Sequence, residues 1–272
     1  MINPIDRDGL RRQVLAAEPF PHCVIDEFLD AEVAQEVHDA FPAYCNAVKI
    51  GRVFSTVNEK NKVQITATDQ FAPAVLELHR MLASPAWLTT LSDVFDIPDL
   101  LADGQLIGGG IHETGPRGRL DVHIDFNYIA DRQLHRRLNL LVFFNQDWKT
   151  EWGGNLELWN EDVTVCRHSF APEFNRCVIF ETSDISYHGV TAVRCPDGHV
   201  RKSFAVYYYT KEAPPHWRGR ERPTVFRSRP EEVIKGRVLM PGERVGRRMR
   251  QTWWDMRRAT NRLLNGWDHR KD

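Results

Sequence analysis

The chain of 272 residues suits one large domain, or one domain with an appendage, and its 42% hydrophobic and 27% charged residues describe a globular protein with material for a real core. Five dispersed cysteines (Cys23, Cys45, Cys166, Cys177, Cys195) exclude a disulfide framework or a paired-cysteine zinc motif, and the default setting is a reducing cytoplasm. Met1 to Asp8 lacks an apolar signal core, and there is no uncharged apolar run of about 18 residues, so no membrane span is expected.

In chain order, Phe20 to Phe28 reads as a short strand, and Asp30 as the N-cap of a helix running to Phe41. Leu29, Val33, Val37 and Phe41 give that helix one buried face. Arg52 to Thr68 is rich in β-branched and polar residues, as in irregular strands or a flap, while Ala72 to Leu82 and Ala86 to Phe95 read as helices opened near Pro73 and Pro85.

After Asp99 short apolar runs alternate with Gly, Asn and Asp. The runs are Gln105–Ile111, Leu120–Asn127, Leu138–Asn145, Asn155–Trp159, Val163–Arg167, Cys177–Glu181, Gly189–Val193 and Arg201–Thr210. Such a series argues for a β-sandwich or barrel, with the earlier helices packed outside one sheet. Past Pro214–Pro215 the strand pattern stops, and Val245, Met249, Trp253, Met256 and Leu263 mark one face of a basic amphipathic helix. The expected organisation is a barrel domain over 1–215 and a helical extension over 216–272.

The formal charge of −1 is unevenly distributed: 218–272 holds 16 Lys/Arg against 7 Asp/Glu, and the rest of the chain is correspondingly acidic. A basic end can dock on its own acidic body or make weak contact with a membrane surface. The acidic body counts against a nucleic-acid partner.

His123-Ile124-Asp125 is weak as a triplet, but on a strand its outer residues share a face and can both point into a barrel. Two histidines and a carboxylate occupy one face of an octahedral Fe(II) and leave three positions open. The third ligand is expected on a later strand. His188 fits best, since it opens His188-Gly189-Val190, with a small residue beside a packed centre. The rivals His135, His168, His199 and His216 read as surface or loop residues. Arg201 lies 13 residues beyond His188 and shares a strand face with Ser203, Ala205 and Tyr207, a sensible clamp for a carboxylate.

These residues, with Arg136-Arg137-Leu138-Asn139 through Asn145-Gln146-Asp147-Trp148 and Gly153-Gly154-Asn155-Leu156, resemble the prolyl 4-hydroxylase-like branch of the Fe(II)/2-oxoglutarate dioxygenases. The resemblance covers about Phe20 to Thr210. It implies a mainly β fold with flanking α-helices, a double-stranded β-helix (jelly roll). It further implies His123, Asp125 and His188 as iron ligands and catalytic residues, Arg201 and Ser203 as cosubstrate contacts, and O2 as the oxidant. The tyrosine with which the family often holds 2-oxoglutarate is replaced by Thr114 or Phe143, and Asn139 is a candidate substitute donor.

With Asp125 present, hydroxylation is the expected outcome rather than halogenation. The implied substrate is a small molecule or an amino-acid or peptidyl side chain, with the Asn127–Tyr128 turn, the Trp148/Trp152 loop and Arg52–Thr68 as walls. The competing readings are a non-catalytic binding barrel, which has no need of all four site residues, and a nucleic-acid-directed dioxygenase.

Overall fold

The structure is a computed structural model that describes residues 1–232 and 234–240. The amphipathic helix expected around Val245–Leu263 lies outside the described residues. The chain divides into two compact units, Met1–Arg227 and Ser228–Asp272.

In the first unit, α1 (Arg7–Ala16), β1 (His22–Ile25), α2 (Ala31–Ala40), α3 (Tyr44–Ile50), the hairpin β2 (Arg52–Ser55) and β3 (Glu59–Ile65), α4 (Pro73–Leu82) and α5 (Pro85–Phe95) precede the barrel strands. Asp30 caps α2 by accepting from Glu32 N at 3.0 Å, and prolines open α4 and α5.

The barrel strands are β4 (Leu101–Ala102), β5 (Gly110–Ile124), β6 (Tyr128–Ile129), β7 (Leu134–Phe143), β8 (Leu156–Trp159), β9 (Cys166–Phe170), β10 (Cys177–Glu181), β11 (His188–Val190), β12 (Arg201–Thr210) and β13 (Val225–Phe226). They pair in the order β1-β10-β7-β12-β5-β11-β8-β9, with β3 and β13 also on β5. The first half of β5 pairs with β12, and its second half pairs with β11. The chain thus passes from one sheet to the other within a single strand, and the two sheets face each other as in a jelly roll.

Side-chain alternation explains the layering. Leu138, Leu140 and Val142 on β7, and Phe204, Val206 and Tyr208 on β12, belong to one core with the helices. Trp87 of α5 donates its indole N–H to Tyr208 Oη at 2.9 Å, tying helix to sheet. The opposite parity, including Phe143, Val178 and Phe180, packs with Leu156 and Leu158 between the sheets.

The architecture is the expected one; some boundaries differ. Gln105–Ile111 and Leu120–Asn127 are not separate strands. Residues around Leu106 (φ 49°) and Gly108 (φ 81°) form turns, held by Asp103 accepting from Gln105 N and Ile107 N. β5 then runs through the Gly115–Gly118 bend because β3 pairs with it on both sides, at Glu113 and at Leu120. Past Pro215, β13 restores the ladder by pairing Val225 with Ile124 and Phe226 with His123. Residues 216–227 therefore pack with the barrel unit.

Candidate metal centre

His123 lies at the end of β5 with Asp125 just beyond it, and His188 opens β11 directly across the ladder from His123. The two imidazole centroids are 4.3 Å apart, and the candidate ligand atoms of the three residues all lie within 4.8 Å of one another. His123 Nδ1 is 2.9 Å from Asp121 O, and His188 Nδ1 is 2.9 Å from Ser186 O. With Nδ1 protonated toward a carbonyl, each ring turns Nε2 to the centre, as a ligand histidine requires. The two Nε2 atoms lie 3.5 Å and 3.4 Å from Asp125 oxygens.

Burial and the neighbouring His123 ring push His188 down to about 3, so it is neutral and offers a lone pair. Burial opposes the charge of Asp125, but Arg136 and the two histidines outweigh it and hold the carboxyl well below its ordinary value. Arg136 Nη2 stands 3.1 Å from Asp125 Oδ2, and Asn139 Nδ2 donates to the same oxygen at 2.8 Å. Arg136 also donates to Asn139 Oδ1 at 2.9 Å and 2.7 Å, and its guanidinium stacks 3.5 Å from the Tyr207 centroid. Asn139 is thus engaged by the Asp125 carboxylate and by Arg136.

Gly189 stands where β11 is pressed between β5 and β8. A Cβ there would lie 3.1 Å from the backbone of Val122, so only glycine fits without displacement. Deeper between the sheets, Arg201 is 2% exposed. Its Nε donates to Gly154 O at 2.6 Å and its Nη1 to Ser203 Oγ at 3.3 Å, while Nη2 is buried with no partner. Burial lowers its pKa to about 10, and the Phe143 ring lies 4.9 Å from the guanidinium. A buried cation with an unused N–H fits the far carboxylate of a dicarboxylic cosubstrate. Thr114 is buried directly across from Arg201 on β5. His112, two residues before it, approaches Gly108 O at 3.1 Å and Gln64 Nε2 at 3.3 Å.

Among the other histidines, His135 is buried on β7, with its ring centroid 4.8 Å from that of Tyr128 and 4.6 Å from that of Trp217. The surface reading of His135 is corrected, since β6 and the 214–223 segment cover it. Of the expected walls, Asn127 lines the cavity at Asp125, while Trp148 packs behind Gly154. The cavity, of about 420 Å3, also draws Trp217, Arg218, Arg220 and Arg222 from a segment the sequence pattern assigned to the extension.

A jelly roll with two histidines and an aspartate at its mouth, and a lone buried arginine within, defines a non-haem iron oxygenase of the 2-oxoglutarate type. Residues 109–209 match the family model of the 2OG-Fe(II) oxygenase superfamily, and the chain is a 2-oxoglutarate/Fe(II)-dependent dioxygenase. Solved structures share the fold. A Trichoplax adhaerens prolyl hydroxylase, in complex with a hypoxia inducible factor oxygen degradation domain peptide fragment, has TM-score 0.52 and 16% identity, covering 75% of this chain and 89% of that one. A Pseudomonas putida prolyl-4-hydroxylase has TM-score 0.55 and 12% identity, covering 76% and 100%. A prolyl 4-hydroxylase from Phytophthora capsici has TM-score 0.52 and 15% identity, covering 77% and 68%. No curated protein sequence matches the chain. No helix among the described residues is long and apolar enough to cross a membrane.

Proposed function

We propose that the chain hydroxylates an unactivated C–H bond of a small molecule or of an amino-acid or peptidyl side chain, with release of succinate and CO2. His123, Asp125 and His188 hold Fe(II) through two Nε2 atoms and a carboxylate oxygen. Arg201, with Ser203 and Thr114 beside it, receives the far carboxylate of 2-oxoglutarate. The iron and its cosubstrate supply the oxidising chemistry when bound. The protein's own part is orientation and the exclusion of water. Asp121 O and Ser186 O fix the imidazoles, Arg136 and Asn139 fix the aspartate, and Phe143 and Phe180 keep the interior apolar. With Asp125 present, three protein side chains would hold the metal, and hydroxylation rather than halogenation is the outcome this reading expects.

The observation that carries this reading is the buried Arg201 nitrogen with no partner, on the same inner surface as the triad. Anaerobic addition of Fe(II) and then 2-oxoglutarate to the protein is expected to give a weak visible charge-transfer band, lost in His188→Ala. Absence of the band in the unmodified protein, or its persistence in the variant, would sink the assignment. A screen of amino acids, peptides and sugars for succinate release, followed by mass spectrometry for one added oxygen, then identifies the substrate.

A further inference from the structure

The outer wall of the metal-site cavity is residues 214–223, and that wall is fastened to the strand carrying the metal ligands. Asn127 N donates to Arg222 O at 3.2 Å, Arg222 N to Asn127 Oδ1 at 2.8 Å, and Asn127 Nδ2 to Arg220 O at 3.2 Å. Arg222 Nη1 donates to Asp125 O at 2.8 Å while its Nε pairs with Asp184 at 3.1 Å, linking the loops of two candidate ligands. At the other end Trp217 packs on His135 and Tyr128, and its N–H closes a turn on Pro214 O at 2.8 Å. Residues 218–220 are therefore held at the cavity between two anchors.

Four arginines line this cavity, and they divide into two kinds. Arg136 is paired with Asp125 and Arg222 with Asp184. Arg218 and Arg220 line the same space, yet their guanidiniums make no ion pair or hydrogen bond among the described residues. Glu221, the one carboxylate beside them in the chain, pairs with neither. Both residues are exposed at one rim, where two cations together raise the local positive potential and attract an anion. A planar guanidinium matches a carboxylate or a phosphate with paired N–H donors. The cavity volume, about 420 Å3, lies within the range of small-molecule sites.

We propose that Arg218 and Arg220 form an anion subsite, and that the substrate is a small molecule bearing a carboxylate or phosphate, which they hold while its reacting carbon reaches the Asp125 end of the cavity. This rests on the oxygenase reading above. An uncharged substrate would leave both guanidiniums unmatched at the rim.

The test uses the full chain loaded with Mn(II) and saturating 2-oxoglutarate. The probes are acetate, inorganic phosphate and, as a neutral control, acetamide, read by paramagnetic broadening of their methyl proton or phosphorus resonances. At least one anion is expected to show saturable broadening that acetamide lacks, and the tighter of the two names the group. Arg218→Ala/Arg220→Ala should weaken that binding by about tenfold or more, with Arg218→Lys/Arg220→Lys weakening it less, because the charge stays while the paired donors are lost. No saturable broadening by either anion, or equal broadening in the alanine variant, overturns the subsite. Water-proton relaxation separates the two ideas: if 2-oxoglutarate does not alter the Mn(II) signal, the oxygenase reading itself fails. If it does and the anions stay sharp, only the substrate class fails.

Discussion

Arg136 Nη2 and Asn139 Nδ2 converge on Asp125 Oδ2, at 3.1 Å and 2.8 Å, so that oxygen is taken up by protein donors. Oδ1, 3.5 Å from His123 Nε2, keeps its lone pairs for a metal ion. Breaking a buried pair by removing one partner costs about 3–5 kcal/mol, because the other charge is stranded. Arg136→Met is expected to lose that much in the metal-free protein and clearly less with saturating Mn(II), whose charge takes the place of the guanidinium. Denaturant unfolding with and without Mn(II) measures both. Equal losses in the two conditions would mean that Arg136 only fills space.

Arg136 also marks where strand parity stops being a guide. Arg201 and Ser203 were legible because they alternate along β12, His123 and Asp125 because their spacing of two holds across the end of β5, and Gly189 because a packed centre demands a small neighbour. On β7 the parity that sends Leu138, Leu140 and Val142 to the helices would send Arg136 with them. The register shifts there, with Tyr208 opposite Leu138 and Tyr209 opposite Arg136, so one β7 residue is unmatched. A bulge of this kind re-aims the side chains beyond it, and Arg136 turns to the metal site. The 214–227 segment was illegible for another reason. Its contacts are backbone hydrogen bonds and arginine contacts to distant loops, which leave no apolar period in the sequence.

Arg201 is held by two hydrogen bonds from its own protein and keeps a third donor unused. A hydrogen bond involving a charged group contributes about 1.5–3 kcal/mol, so losing the guanidinium fork should weaken 2-oxoglutarate binding by about 10–100-fold. Arg201→Lys is expected to raise the KM for 2-oxoglutarate by that factor and to leave Mn(II) affinity unchanged. In Arg201→Met, saturating 2-oxoglutarate should no longer raise the melting temperature, as it should in the unmodified protein. Melting curves with and without 2-oxoglutarate, with Mn(II) present throughout, check this; a preserved shift in Arg201→Met would move the carboxylate site elsewhere.

Gly189 is pressed between β5 and β8, where a Cβ would lie 3.1 Å from Val122 N and Val122 Cα. The obstacle is backbone, which yields less readily than the end of a side chain. Gly189→Ala should destabilise the fold by about 1–3 kcal/mol. It should also weaken Mn(II) binding, because the ladder it spreads pairs His188 with His123. Isothermal titration with Mn(II) alongside denaturant unfolding separates the two effects. Normal metal affinity in a destabilised variant would show that the ligand spacing tolerates the shift.

Glu113 on β5 is fully buried, and neither carboxylate oxygen has a hydrogen-bond partner. Burial raises its pKa to about 7, against a weaker opposing pull from Lys202, which lies across the ladder. The folded protein thus keeps a proton that the unfolded chain gives up near its ordinary value of 4.5. Where the folded state binds the extra proton, stability falls as pH rises, here between 4.5 and about 7, and then levels off. Glu113→Gln keeps the shape and never ionises, so it should remove that fall. At pH about 8 it should be more stable than the unmodified protein by about 3 kcal/mol, since each tenfold difference in proton affinity between the folded and unfolded states is worth about 1.36 kcal/mol. Denaturant unfolding of both proteins from pH about 4 to 8 tests the slope. Parallel curves would mean that Lys202 neutralises the carboxylate in the folded state and that Glu113 is ionised throughout.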